Sequence, residues 1–215
     1  MKNRLHDKKA GIFILVSLII ISVAEVIYRA VVANEIVFTT SNFGEQLAVI
    51  IFALMILIFT AKGKDRVCYI IYGAWIAYFV MDQAFELPGM VGDLIINFSQ
   101  PHMVISIGLR LVSMLCIIAL SALLVEYMND GSIYNRAFNI LSVITVLLHV
   151  VTIGISGNGL ILLSKTTSNI DITLHSSYNM LIIFNNIYRI IMVFLFAFFA
   201  YDSAKKQLNK VSFEK

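Results

Sequence analysis

Charge is what this 215-residue chain has least of. Only 13% of its residues are Asp, Glu, Lys or Arg, about half the density of a soluble domain, so an ordinary water-soluble fold is excluded. Cysteine is scarce too. Cys68 and Cys116 both lie in apolar runs without metal-like or redox-like spacing, which excludes a disulfide framework and leaves two small buried hydrophobes. Two prolines and eleven glycines leave no room for a linker or a low-complexity segment. No His-Glu-x-x-His string occurs, and His6, His102, His149 and His175 do not make a ligand set, so no metal site and no cofactor is expected. Period-two alternation is missing, which excludes a membrane barrel. A basic patch interleaved with exposed aromatics is missing as well, and no nucleic acid is expected as a partner.

What the chain does have is apolar length. Sixty per cent of its residues are hydrophobic and the mean hydropathy is +0.88, in runs of about 20 residues, enough to cross a bilayer as helices. The expected fold is all-α, a single-domain polytopic integral membrane protein with six spans at roughly 11–32, 44–61, 67–87, 102–126, 137–157 and 179–201. The lipid bilayer is its first partner. Short connections make consecutive helices antiparallel neighbours.

Basic residues orient the spans. Lys2, Arg4, Lys8 and Lys9, then Lys62, Lys64 and Arg66, then Arg136, then Lys205, Lys206, Lys210 and Lys215 put twelve on one side, against Lys165 on the other. The positive-inside rule therefore predicts both termini in the cytoplasm of a cell membrane, bacterial in style, and accounts for the net charge of +3. The first span reads as a retained anchor, because Ser22-Val23-Ala24 is followed by Glu25 within a continuing helix. Three glycines between Gly154 and Gly159 predict a break at the end of the fifth span, with a re-entrant or interfacial piece after it; one long tilted helix is the alternative. The second span, apolar from Leu47 to Phe59, is expected at the periphery. The tail after Tyr201 reads as too short for an output domain.

Set against so apolar a background, the polar residues inside the spans are the candidate site. They are Glu25, Arg29, Asp82, Gln83, Glu86, Arg110, His149, Asn185 and Arg189. A charge in hydrocarbon costs about 2.5–3.5 kcal/mol even on lenient scales, so these must be paired, hydrated or bound. In the odd spans they come late and in the even spans, with Glu45, Gln46 and Asn186, early, which places nearly all in the outer half above an apolar floor. Glu25 and Arg29, Asp82 and Glu86, and Asn185 and Arg189 are i,i+4 pairs that each share a helix face. Ser106, Arg110 and Ser113 make a stripe. Ser142, Thr145, His149, Thr152 and Ser156 follow a 3-4-3-4 rhythm, a polar seam.

Three acids against three arginines also fit a purely structural ion-pair network, and seam hydroxyls often serve as glue between membrane helices. If there is a pocket, its charges suit a small anionic or zwitterionic ligand. Arg110 and Arg189 would clamp a carboxylate or phosphate, Asp82 and Glu86 would take an amine, and His149 would make binding pH-sensitive. Tyr28, Trp75, Tyr78 and Tyr188 could wall it; the ordinary interfacial belt is the competing account.

Catalytic patterns are weak. Gly154-Ile155-Ser156-Gly157 matches the Gly-x-Ser-Gly string of rhomboid-type intramembrane proteases, but the His175-x-x-x-Asn179 pattern falls after the serine and the sixth span holds no histidine. A haem between His102 and His149 has nothing further to support it. In size and span number the chain is similar to the substrate-binding subunits of energy-coupling vitamin transporters, though its first span lacks their Ala-x-x-x-Ala docking pattern, so no family follows. The expected function is binding of a small polar or amphiphilic ligand by Glu25, Arg29, Asp82, Glu86, Arg110, His149, Asn185 and Arg189, as a transporter subunit or receptor. The alternatives are an intramembrane enzyme acting on a lipid and an interaction or immunity protein, with a partner membrane protein or a second copy as possible company.

Overall fold

The computed structural model describes residues 2–31, 40–96, 98, 101–130, 136–165 and 171–213. They form six α-helices in chain order: α1 (Lys2–Val31), α2 (Thr40–Ala61), α3 (Asp65–Ile96), α4 (Pro101–Asp130), α5 (Arg136–Lys165) and α6 (Asp171–Phe213). All six are long and apolar enough to cross a membrane. Their surface supports that reading. Phe13, Ile20, Ile70, Phe85 and Ile96 are all more than 60% exposed, while Glu25, His149 and Arg189 are at most 3% exposed. Apolar outside and charged inside is the reverse of what water selects.

The helices run past the expected spans. α5 continues unbroken through Gly154, Gly157 and Gly159 to Lys165, so the expected break at the glycines does not occur; α6 starts at Asp171, and residues 166–170 of the expected re-entrant piece lie outside those described. The reason is energetic. Each glycine costs a helix about 1 kcal/mol, whereas each backbone group left without a bond in lipid costs several. α3 likewise passes through Pro88 to Ile96 instead of ending at 87. Proline removes one hydrogen bond, which membrane helices tolerate where neighbours compensate.

The chain divides into two compact units. One comprises Ile12–Trp75 and His149–Ile191, hence most of α1, all of α2, the start of α3, the later part of α5 and the first half of α6. Its core is built from Leu15 and Leu18, from Val49, Ala53 and Ile56, and from Ile71, Trp75 and Tyr188. α2 contributes a single stripe, Gln46, Val49, Ala53 and Ile56, at helical spacing. Its other residues from Leu47 to Phe59 are apolar and either exposed or half-buried. The Trp75 indole stacks on Phe52 with centroids 5.8 Å apart.

α2 and α3 are joined by a tight C-cap. The Lys64 amide donates to the Phe59 carbonyl (2.9 Å) and the Gly63 amide to that of Thr60 (3.1 Å), a Schellman arrangement that needs a left-handed residue at Gly63, where φ is +67°. The Cys68 thiol then donates to the Ile56 carbonyl at 3.7 Å, fixing the two helices side by side.

The other unit comprises Met1–Gly11, Ile76–Leu148 and Met192–Lys215. Met114, Ile117, Leu120 and Leu124 of α4 form one buried stripe, and Met192, Val193, Leu195, Phe196, Phe199 and Ala200 bury most of the circumference of α6. Phe79 meets Phe196 edge-on at 6.1 Å. A Cβ on Gly11 would lie 2.6 Å from the Phe198 ring, so glycine permits that close approach.

Replacing Gly63 by Val forces a β-branched residue to positive φ and should lower stability by about 1–2 kcal/mol. Gly73→Ala, inside a helix with open space around it, should leave stability unchanged or slightly raised. Denaturant unfolding in detergent micelles measures both.

Candidate functional site

The first polar group ties α1 to α2. Leu15, Leu18, Ser22 and Glu25 follow a 3-4-3 spacing that turns one face of α1 inward. Arg29, one turn on, donates from Nε (3.0 Å) and from a terminal nitrogen (2.6 Å) to Glu25 Oε1. Gln46 Nε2 donates to Glu25 Oε2 at 2.9 Å. Glu25 is thus engaged on both oxygens, and Arg29, about a quarter exposed, carries its charge toward the helix end. The bond also settles the orientation of the Gln46 amide. With Nε2 spent on a carboxylate, its Oε1 faces away, buried and without a hydrogen-bonding partner among the described residues; Ser22 Oγ and Trp75 Nε1 share that condition.

The second group joins α5 to α6. His149 is fully buried, and Thr152 and Ser156 continue its face. Asn186 of α6 holds the ring: its Oδ1 lies 2.7 Å from His149 Nδ1, while its Nδ2 donates to the Ile182 carbonyl at 2.7 Å. These two contacts together assign the imidazole tautomer. A flipped amide would set its oxygen against the Ile182 carbonyl oxygen, so Oδ1 is the atom facing the ring and must accept; Nδ1 therefore carries the proton. The lone pair of Nε2 is left bare, and this atom has no partner among the described residues. Arg189, three residues past Asn186 and 3% exposed, bears electrostatically on the same ring. Tyr28 and Phe184 pack at 5.5 Å, which sets the first group's helix beside α6.

A third group belongs to the other unit. Arg110 of α4 approaches Glu86 of α3 at 3.5 Å, both about 40% exposed, so the arginine expected to await a ligand already faces an acid. Gln83 donates to Asp82 at 3.3 Å. Ser113, Ser142 and Thr145 direct their hydroxyls to backbone carbonyls three or four residues back, as hydroxyls in membrane helices commonly do.

The sequence-nominated residues therefore separate into Glu25, Arg29, His149, Asn185 and Arg189 in one unit and Asp82, Glu86 and Arg110 in the other. Asn185 is only half-buried, and its neighbour Asn186 makes the histidine contact. Trp75 and Tyr188 are buried in the core and not part of an interfacial belt. Side chains of Ser106, His102, His175 and Asn179 lie outside those described. Gln46, Ser22 and Asn186 are the contributors the sequence reading left out of the site. Comparison with protein-family models, curated proteins and solved structures finds no match to this chain.

Arg29→Met leaves Glu25 buried without its cation and should cost about 3 kcal/mol. Adding Glu25→Leu should restore most of that, because the charge that needed compensation is gone. Unfolding of single and double variants in detergent gives both values.

Proposed function

We propose that this multi-pass membrane protein recognises a small polar or amphiphilic ligand at the His149–Asn186–Arg189 group, as a transport subunit or a receptor, with both termini in the cytoplasm and the site in the outer half of the bilayer. The observation that carries this reading is the bare Nε2 of His149. An acceptor buried in a protein interior without a donor costs about 1–3 kcal/mol, and here it is held in position by a bond that fixes its direction. Ionisable groups within membrane spans mark ligand or ion paths far more often than chance placement would. Ser22, Gln46 and Trp75 add further unmet hydrogen-bonding capacity in the same unit.

In this reading Glu25, Arg29 and Gln46 serve as scaffold, since Arg29 and Gln46 meet both oxygens of the Glu25 carboxylate. Arg110 and Glu86 form a separate pair. The ligand contacts thus narrow from eight residues to His149 and Arg189, with Asn186 positioning the ring.

A second reading has one observation in its favour. An imidazole oriented through Nδ1, with Nε2 bare, is what a general base needs, so an intramembrane enzyme acting on a lipid is the runner-up.

Native mass spectrometry of protein released gently from its own membranes separates these readings. The wild type should carry a defined small-molecule adduct. His149→Phe should fly folded and bare, and Arg189→Lys, which keeps the charge but loses the planar fork, should bind more weakly by about 1.5–3 kcal/mol. A bare wild type would refute the ligand site, and an adduct that changes mass with time in the wild type alone would favour the enzyme.

Orientation has its own test. With Cys68 and Cys116 replaced by Ala, a cysteine at Lys165 should react with a membrane-impermeant maleimide on intact cells, and one at Lys64 only after lysis.

A further inference from the structure

The direction of the hydrogen bonds around His149 restricts what can bind there. Nδ1 is committed as a donor to Asn186, so the neutral ring offers only an acceptor, Nε2, to anything that approaches. A ligand must meet that acceptor with an O–H or N–H. Arg189, buried at 3% exposure, bears electrostatically on the ring. Arg189 engages its surroundings, and its five N–H donors leave capacity for an incoming anion. In a low-dielectric interior its charge favours an anion over a neutral alcohol and repels a metal cation from the Nε2 lone pair. Asn186 and Arg189 of α6 are the polar and charged groups bearing on the ring. The two demands together describe an oxyanion that still carries one proton.

Few groups meet both demands near neutral pH. Sulfate esters and phosphodiesters are anions with no O–H. A carboxyl group has its proton at pH 7 in only about one molecule in 500. A phosphomonoester, whose second ionisation lies near pH 6, keeps one P–O–H in about one molecule in ten. Its other two terminal oxygens match the guanidinium fork.

We infer that the ligand's recognised group is a phosphomonoester or hydrogen phosphate monoanion, its P–O–H donating to His149 Nε2 and its charged oxygens accepting from Arg189. This rests on reading the His149 group as a ligand site. The chemistry is common to a lipid headgroup such as phosphatidic acid and to free phosphate or a small phosphate ester. Bound, the complex holds one proton more than the dianion and protein that dominate above pH 7.

Calorimetry on the full-length protein in phosphatidylcholine nanodiscs tests this. The probes are short-chain phosphatidic acid, its methyl-capped diester, inorganic phosphate, an alkyl sulfate and a fatty acid. At pH 6, where about half of the phosphomonoester keeps its proton, phosphatidic acid should bind at least about threefold more tightly than the capped diester or the sulfate, the gain expected when a buried acceptor is met. At pH 8 the heats in buffers of different ionisation enthalpy should report one proton taken up per ligand. His149→Leu should abolish the preference. His149→Gln, which keeps an acceptor, should retain part of it and guards against a variant that fails to fold. Binding of inorganic phosphate as well would make the source soluble; binding of phosphatidic acid alone would make it a lipid.

Equal binding of the capped diester or the sulfate, or no proton uptake, overturns the inference while leaving a ligand site in place. So does binding of the fatty acid alone. Binding of no probe by the wild type removes the phosphate assignment; an adduct in the native spectra would then keep the site and require another chemistry.

Discussion

Asn186 donates its side-chain amide to a carbonyl one turn back on its own helix, and much of the chemistry follows from that bond. It fixes which end of the amide faces α5, hence which nitrogen of His149 holds the proton, hence which nitrogen has nothing to bond. In water such a chain of consequences would be loose, because solvent would exchange with every member. In a bilayer interior no solvent stands by, and each donor or acceptor must find a partner in the protein or in something the protein holds. The direction of the ring is thus tied to backbone geometry on α6.

The buried polar residues are of two kinds. In the first, the Glu25 carboxylate is met on both oxygens by Arg29 and Gln46, and the cation reaches toward the helix end, while Gln46 Oε1 stays unmet among the described residues. Paired charges of this sort locate helices against each other and specify register. The second is His149, with a bond on one side and a bare lone pair on the other, under the electrostatic influence of the buried Arg189 guanidinium. A membrane helix gains nothing in packing from leaving an acceptor bare, and a leucine there would fill space without that cost.

Much of the architecture was legible in the sequence. Runs of about 20 apolar residues located all six helices, and the 4-3-4 spacing of Thr145, His149, Thr152 and Ser156 marked the buried face of α5. Helix ends were not legible. The glycines from 154 to 159 read as a break by propensities measured in water, whereas lipid penalises an open backbone more than it penalises glycine. Within the site, Asn185 and Asn186 could not be told apart, because i,i+3 and i,i+4 both share a face with Arg189. Gln46 was visible, with Glu45, at the head of an otherwise apolar run, but its partner lay 21 residues away on another helix. Which cation meets which acid is likewise a matter of tertiary packing: Arg110 looked uncommitted along its own helix and faces Glu86 across to the next.

The tautomer of His149 is the claim on which the rest stands, and nitrogen NMR reads it directly. In protein labelled with nitrogen-15 at histidine, with His149→Gln used to assign the signal, the account predicts a protonated Nδ1 and an unprotonated Nε2 with the shift of a nitrogen that accepts at most weakly, moving when ligand is added. A His149 signal with the proton on Nε2, or with both nitrogens protonated at neutral pH, would contradict it.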